Sequence, residues 1–269
     1  ADEGGVDLPS ERRRRVVPLP PGMNDRRVSG VGARLLSAVR EERLLGVKRV
    51  PQRDFGIPRF TYDEGLAQLY GEPPTWPTPT RGVSEIRLAL RYKSNDSLLR
   101  HFKDTSTLYL EIVDYPGEWL LDLPLLDLSY AQWSEQIREQ LQSPQRRRLA
   151  EPWLKAGINW SAGQPFTLLV DEVAAVADLY TQYLHDCRQK LGLHSIQPGR
   201  FVLPGEFAGA PMLQFVPRVW ALPDSTPSHD SLYGLFQARY EAYKEHVVRQ
   251  FYQKHFSGFD RQIVLVDCL

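Results

Sequence analysis

Thr-Leu-Tyr-Leu-Glu-Ile-Val-Asp-Tyr-Pro-Gly-Glu, residues 107–118, carries the strongest structural signal in the chain. Its apolar, β-branched first part predicts a deeply buried strand over 107–113. A carboxylate at the carboxyl end of such a strand points into the crevice where α/β sheets bind nucleotides, so Asp114 is a candidate ligand of Mg²⁺, usually through water. Gly117 lets the backbone approach a γ-phosphate, to which its N–H can donate.

The spacing of Asp114 and Gly117 is weak evidence when taken alone. The same Asp-x-x-Gly pattern occurs at Asp2 and Gly5, where no strand precedes it. A strand that simply ends in a Pro-Gly turn is the alternative interpretation. The strength of the preceding strand favours the site at Asp114.

Two further residues complete the candidate site. Thr80 lies just before a predicted strand, in a loop that can bring a hydroxyl to Mg²⁺, and Thr78 is the alternative. A Pro/Thr-rich linker explains both threonines without any function. Glu118 follows the glycine at the place where some GTPases carry the residue that orients the attacking water. A surface glutamate at a helix start is the competing interpretation.

The first half of the chain alternates short elements with extended loops. Residues 1–33 combine acids, an arginine run and prolines without apolar periodicity, which predicts a disordered arm. The patterns that follow predict a helix over 34–46, a loop or edge strand over 49–58, a helix over 62–70, an extended loop over 73–82 and a strand over 85–92 with one wetter face.

The second half is predicted to be mainly helical from residue 118 to 260. Apolar residues at steps of three and four predict long amphipathic helices over 169–191 and 232–251. Between them, residues 199–205 suggest a short strand and a turn. The apolar run at 262–269 is typical of a strand inside a parallel sheet.

Composition excludes several classes of function. Lys+Arg and Asp+Glu both number 33, so no net charge draws the chain to nucleic acid. No apolar run is long enough to span a bilayer, and no signal peptide opens the chain. Two distant cysteines fit a reducing compartment. We therefore expect a cytoplasmic protein, with peripheral association with the inner membrane as an option. No zinc, Rossmann or hydrolase motif occurs.

Four stretches closely resemble the YcjX-like family of bacterial P-loop nucleotidases, which is similar to Ras-like GTPases. The resemblance covers about Leu35 to Leu269, and the four stretches are residues 36–46, 51–56, 112–120 and 197–205. It implies an α/β fold: a Ras-like P-loop NTPase sheet with helices and a large helical insertion. It also implies Mg²⁺-dependent hydrolysis of GTP or ATP and an association with stress and heat-shock responses.

The resemblance also assigns domains and site residues. Residues 34–117 would form the nucleotidase core, 118–260 the helical insertion, and 261–269 a further core strand. Asp114 and Gly117 match the third GTPase motif of the family, and the resemblance assigns Thr80 as the threonine of its second motif, in the first switch loop.

The chain departs from the family at the sites that bind phosphate and base. The first motif, G-x-x-x-x-G-K-[ST], should lie shortly before residue 35, but residues 24–33 hold Asn-Asp-Arg-Arg-Val-Ser-Gly-Val-Gly-Ala. No Lys in a Gly-Lys-Ser/Thr context occurs anywhere, and no Asn/Thr-Lys-x-Asp motif follows. We expect a fragment incomplete at both ends and unable to hydrolyse nucleotide, with 1–33 as out-of-frame sequence. A non-catalytic module that binds a protein partner through its helical insertion is the alternative.

Overall fold

The computed structural model describes residues 41–93, 105–157, 159–163, 165, 170–220 and 228–263. The chain divides into two compact units, which are described separately below. The first ends at Tyr115 and takes in the residues from Gln262 onward, and the second is Pro116–Arg261. The predicted arm over 1–33 lies outside the described residues. Of the strand predicted over 262–269, only residues 262 and 263 are described, and neither is in a strand.

The first unit holds a three-stranded antiparallel sheet and one helix. Strand β1 is Leu44–Arg49, β2 is Ser84–Lys93 and β3 is Thr105–Asp114, in the order β1-β2-β3. Helix α1, Tyr62–Leu69, follows β1. The predicted loop over 73–82 is confirmed, because no helix or strand occurs there.

The helix predicted over 34–46 is wrong for its described part. Residues 41 and 42 make a turn and Leu44 begins β1, which pairs with β2 from Leu44 opposite Tyr92 to Arg49 opposite Leu88. Apolar residues at helical spacing also fit a strand once a neighbouring strand satisfies their backbone groups. Pairing with β2 therefore overrides the local pattern.

The burial predicted for β3 is also wrong. Leu108, Tyr109 and Leu110 are 53%, 52% and 41% exposed, whereas Leu88 of β2 is buried. Within the described residues β3 pairs only with β2, so it is an edge strand while β2 has a neighbour on each side. Side chains of an edge strand keep less cover than those of a central one.

The second unit is built from helices. A 3₁₀ helix spans Gly117–Asp127, and Ser129 caps the next helix by accepting a hydrogen bond from Gln132 N–H at 3.2 Å. The α-helices are α2 (Tyr130–Gln140), α3 (Pro144–Ala156), α4 (Val170–Leu191), α5 (Gly199–Val202) and α6 (Leu232–Tyr243), which continues through π-helical segments at Lys244–Arg249 and Tyr252–Phe256. Helices α4 and α6 confirm the two predicted long helices.

The core of the second unit is rich in aromatic side chains. The rings of Trp133 and Tyr240 stack with centroids 5.3 Å apart, and Phe215 packs edge-on against Trp133 at 5.4 Å. Tyr130 is fully buried and donates its hydroxyl hydrogen bond to the carbonyl of Val216 at 2.8 Å. Aromatic pairs in these geometries add stability beyond their buried area. Among the helices described, none has the length and apolar character needed to cross a membrane.

Candidate functional site

Thr80 and Asp114 meet at one edge of the sheet in the first unit. Asp114 ends β3 opposite Ser84, which begins β2, and Thr80 lies in the loop just before that start. Antiparallel pairing places the end of one strand beside the start of the other, so this loop passes Asp114. The Thr80 hydroxyl donates a short hydrogen bond to Asp114 Oδ2. The structure thus brings the two predicted residues together, while their role remains a prediction.

The other candidate hydroxyl, Thr78, belongs to a part of the loop that is attached to α1. Thr78 N–H donates to the side-chain oxygen of Gln68 at 3.2 Å, and Thr75 N–H donates to the Gln68 carbonyl at 2.8 Å. These contacts fix the loop against the end of α1 before it reaches Thr80. Thr80 is therefore the threonine that the structure places beside Asp114.

The donor set at this edge fits Mg²⁺ that arrives with a nucleotide. A hydroxyl and a carboxylate are oxygen ligands, which Mg²⁺ prefers. In the part of the chain that the structure describes, no three His, Cys, Asp or Glu side chains cluster closely enough to hold a metal ion. Mg²⁺ usually takes only one or two protein oxygens and completes its shell with water and phosphate. Thr80 and Asp114 could serve in this way.

Gly117 opens the 3₁₀ helix of the second unit. Trp119 N–H donates to the Pro116 carbonyl at 3.1 Å and closes the first turn. Among the described residues, nothing lies within 4 Å of the position that a Cβ on Gly117 would take. The backbone at this glycine therefore has room for the close approach of a ligand.

Glu118 is not the surface residue that a helix-start glutamate suggests. Its side chain is only 17% exposed, and its Oε1 lies 2.5 Å from Nη2 of Arg188 on α4. The arginine explains the burial, because a paired carboxylate can leave water at lower cost than a lone one. A carboxylate held by an arginine is also less available to orient water, and the predicted catalytic role of Glu118 stays a prediction.

Asp122 is a buried carboxylate that the sequence analysis missed. It is 1% exposed, and it accepts hydrogen bonds from Gly199 N–H at 2.7 Å, Arg200 N–H at 3.2 Å and the Tyr243 hydroxyl at 2.5 Å. The first two donors are free N–H groups at the start of α5. The carboxylate therefore explains why residues 199–202 form a helix, and the strand predicted within 199–205 is wrong.

Arg200, whose backbone N–H donates to Asp122, also lies over the ring of Trp119. The guanidinium carbon lies 3.2 Å from a ring centroid of Trp119, and Arg200 Nη1 also lies 3.2 Å from Glu206 Oε2. The indole N–H of Trp119 donates to the Leu203 carbonyl at 2.9 Å. Arg200 is only 3% exposed, so this cation–π contact is largely shielded from water.

Burial also changes the pKa values of Asp122, Tyr243 and Arg200. It raises the pKa of Asp122 to about 6, against the hydrogen bonds from Tyr243, Gly199 and Arg200, which lower it. It raises the pKa of Tyr243 well above its ordinary value, and the negative charge of Asp122 adds to that effect. Burial lowers the pKa of Arg200. The Tyr243 hydroxyl therefore stays a donor to the carboxylate at neutral pH.

A signal for Asp122 is present in the sequence. Residues 120–128 read Leu-Leu-Asp-Leu-Pro-Leu-Leu-Asp-Leu, so an acid interrupts an apolar run at Asp122 and again at Asp127, and of the two Asp122 is buried and Asp127 exposed. A charged residue among apolar ones is worth examining as a buried, partnered group. Its partners at Gly199, Arg200 and Tyr243 are too distant in sequence for any local pattern to reveal.

The comparisons with known proteins agree on one family. The model of the YcjX-like family, DUF463, matches residues 28–269. The chain is 62% identical over 250 residues to the "Ras-like GTPase YcjX" of Escherichia coli K12, covering 88% of the chain and 52% of that protein. It is 43% identical over 249 residues to the protein of the same name from Shewanella oneidensis, covering 88% and 50%. The chain thus spans about half the length of these curated relatives.

Proposed function

The chain belongs to the YcjX-like family, DUF463, and on that basis we propose that it forms the Mg²⁺- and γ-phosphate-sensing part of a Ras-like GTPase. The whole protein would hydrolyse a nucleoside triphosphate with Mg²⁺, and the names of the relatives favour GTP over ATP. The resemblance adds an association with stress responses. The observation that carries the proposal is the hydrogen bond from Thr80 to Asp114 at the sheet edge.

Thr80 and Asp114 are the proposed protein ligands on the metal side of the site. Their hydroxyl and carboxylate would hold Mg²⁺, which when bound neutralises charge on the phosphates. Asp114 accepts the hydroxyl hydrogen of Thr80, and this bond sets the direction of the hydroxyl oxygen. The two side chains therefore form one preorganised pair of oxygen donors.

Gly117 is the proposed donor to the γ-phosphate. Its backbone N–H would bond a phosphate oxygen that hydrolysis removes, which is the switching principle of GTPases. Glu118 remains a weaker candidate for orienting the attacking water. Its ion pair with Arg188 would have to loosen before its carboxylate could accept a hydrogen bond from water.

We expect the chain alone to be inactive, because the 269 residues contain no G-x-x-x-x-G-K-[ST] sequence. That motif supplies the backbone amides and the lysine that hold the β- and γ-phosphates. Titration of the fluorescent analogue mant-GTP into this chain should give no saturable signal. Low-micromolar binding would contradict this expectation. Reading the encoding DNA in its other frames tests the fragment hypothesis, since a P-loop should then appear upstream.

A chimera tests the proposed activity. In it, the chain replaces the 250 residues that it matches in the Escherichia coli relative. We expect the chimera to bind mant-GTP and to hydrolyse GTP, and hydrolysis should fall when Gly117 is changed to Ala. A chimera that folds but neither binds nor hydrolyses GTP would contradict the proposal.

The alternative function is a non-catalytic module that binds a protein partner through the helical unit. The observation in its favour is that Pro116–Arg261 builds its own aromatic core and has the size of a module. Under this alternative the chimera would lack GTP binding while the helical unit kept its fold. The mant-GTP titration of the chimera therefore separates the two functions.

A further inference from the structure

The segment that follows Gly117 is attached to the helical unit almost residue by residue. Four of the five residues 118–122 make a polar contact with a distant described part of that unit. The contacts join Glu118 to Arg188, Trp119 to Leu203, Leu121 to Gln197, and Asp122 to Gly199, Arg200 and Tyr243. Because these contacts are made at nearly successive residues, they fix the path of the backbone as well as burying it.

Gly199 adds a close backbone contact to these polar ones. A Cβ built on Gly199 would lie 1.9 Å from the carbonyl oxygen of Glu118. Only glycine allows the start of α5 to approach the segment this closely. Gly117, one residue earlier, has no described neighbour within 4 Å of a Cβ position. Among the described residues, the contacts of this segment with α4 and α5 begin at Glu118, directly after the glycine.

Among these contacts, those of Asp122 are the hardest to explain by stability alone. Moving a carboxylate out of water is costly, and well-packed apolar residues often replace buried charges without loss of stability. Its three donors offset that cost but require the segment, the start of α5 and α6 to keep one arrangement. A buried charge held in this way defines position more sharply than an apolar contact does.

We propose that Asp122 is a positioning residue for the γ-phosphate contact of Gly117. This inference rests on the proposed function and deepens it. Asp122 does not touch the nucleotide; it holds the backbone that follows Gly117 at a fixed place in the helical unit. The amide of Gly117 is thereby preorganised, and any displacement of Gly117 on γ-phosphate loss is transmitted to α5 and α6.

Hydrogen exchange on the 269-residue chain tests the attachment. Asp122→Asn keeps the shape of the side chain but cannot accept from all three donors, and we expect amides in 119–128 to exchange roughly tenfold faster or more. Tyr243→Phe removes one donor and should give a smaller increase in the same segment. Tyr130→Phe is the matched control, because it removes a buried hydroxyl bonded to Val216 and should leave 119–128 unchanged. Equal exchange in Asp122→Asn and the control would overturn the proposal.

Kinetics of the chimera test the positioning role itself. We expect Asp122→Asn and Tyr243→Phe to lower kcat for GTP, and the decrease for Asp122→Asn should be about tenfold or more. KM should change much less, because the contact of Gly117 with the γ-phosphate acts during hydrolysis. Tyr130→Phe should leave both constants unchanged. If the unmodified chimera hydrolyses GTP and Asp122→Asn keeps its kcat, the positioning role is overturned while the proposed function stands. If the unmodified chimera is folded but inactive, the proposed function fails and this inference fails with it.

Discussion

Replacing Gly199 with Ala should destabilise the helical unit through one identifiable contact. The added Cβ would lie 1.9 Å from the Glu118 carbonyl oxygen and 2.7 Å from its carbonyl carbon. Carbon atoms need roughly 3.5 Å from such neighbours. Both obstructing atoms are backbone, so no side chain can rotate away. The backbone of Gly199 is not left-handed, and the clash is therefore the only penalty that alanine meets there.

The expected cost follows from what the clash displaces. Overpacking of a buried site costs about 1–3 kcal/mol. Moving α5 away from the segment also lengthens the 2.7 Å hydrogen bond from Gly199 N–H to Asp122. A hydrogen bond to a charged group contributes about 1.5–3 kcal/mol. Because the two effects overlap, we expect Gly199→Ala to lower the free energy of unfolding by about 3 kcal/mol.

Urea denaturation followed by tryptophan fluorescence measures this loss. Five of the six tryptophans lie in the second unit, at 119, 133, 153, 160 and 220, so the signal reports mainly on that unit. Gly163→Ala is the matched control, because no described atom lies within 4 Å of its Cβ position. It should change stability by less than about 0.5 kcal/mol. If Gly199→Ala is as stable as Gly163→Ala, the close approach of α5 to the segment is wrong.

Two further variants probe charges in the same unit. The pKa of Asp122 rises from an ordinary 3.8 to about 6 on folding, so the folded state binds the extra proton and stability falls as pH rises from about 4 to about 6. The fall amounts to about 3 kcal/mol at most, and urea titrations at several pH values should find it in the wild type but not in Asp122→Asn. Glu118→Gln breaks the partly buried pair with Arg188 and should lower stability by about 1 kcal/mol. If it instead leaves stability unchanged and abolishes GTP hydrolysis by the chimera, Glu118 acts in catalysis.

Local sequence patterns correctly predicted the elements whose structure depends mainly on their own residues. The alternation in β2 and the apolar steps along α4 and α6 identified one strand and two helices. The two helices bury a regular face, whereas the buried Glu85 and Leu88 of β2 lie on opposite faces of the strand. The position of β1 depends on its pairing with β2, and the burial of β3 depends on how many neighbours it has. Neither property is encoded in the strand itself, which is why both predictions failed.

The candidate site also contains residues that could be found from the sequence and contacts that could not. A carboxylate at the end of β3 and a threonine before β2 could be found from the sequence, because each adjoins a strand that its own residues predict. The contacts of Asp122 could not. They join residues 77 and 121 positions apart in the chain, and a distant carboxylate accepts the first N–H groups of the helix at Gly199.

The Mg²⁺ dependence of GTP hydrolysis by the chimera is the most direct test of the role given to Thr80 and Asp114. Asp114→Asn removes the charge that would face the ion, and we expect the Mg²⁺ concentration for half-maximal rate to rise by roughly 10- to 100-fold. Asp63→Asn, which changes an exposed carboxylate of the same unit, should leave it unchanged. An Asp114→Asn chimera with the Mg²⁺ requirement of the Asp63→Asn control would show that this carboxylate does not serve the metal.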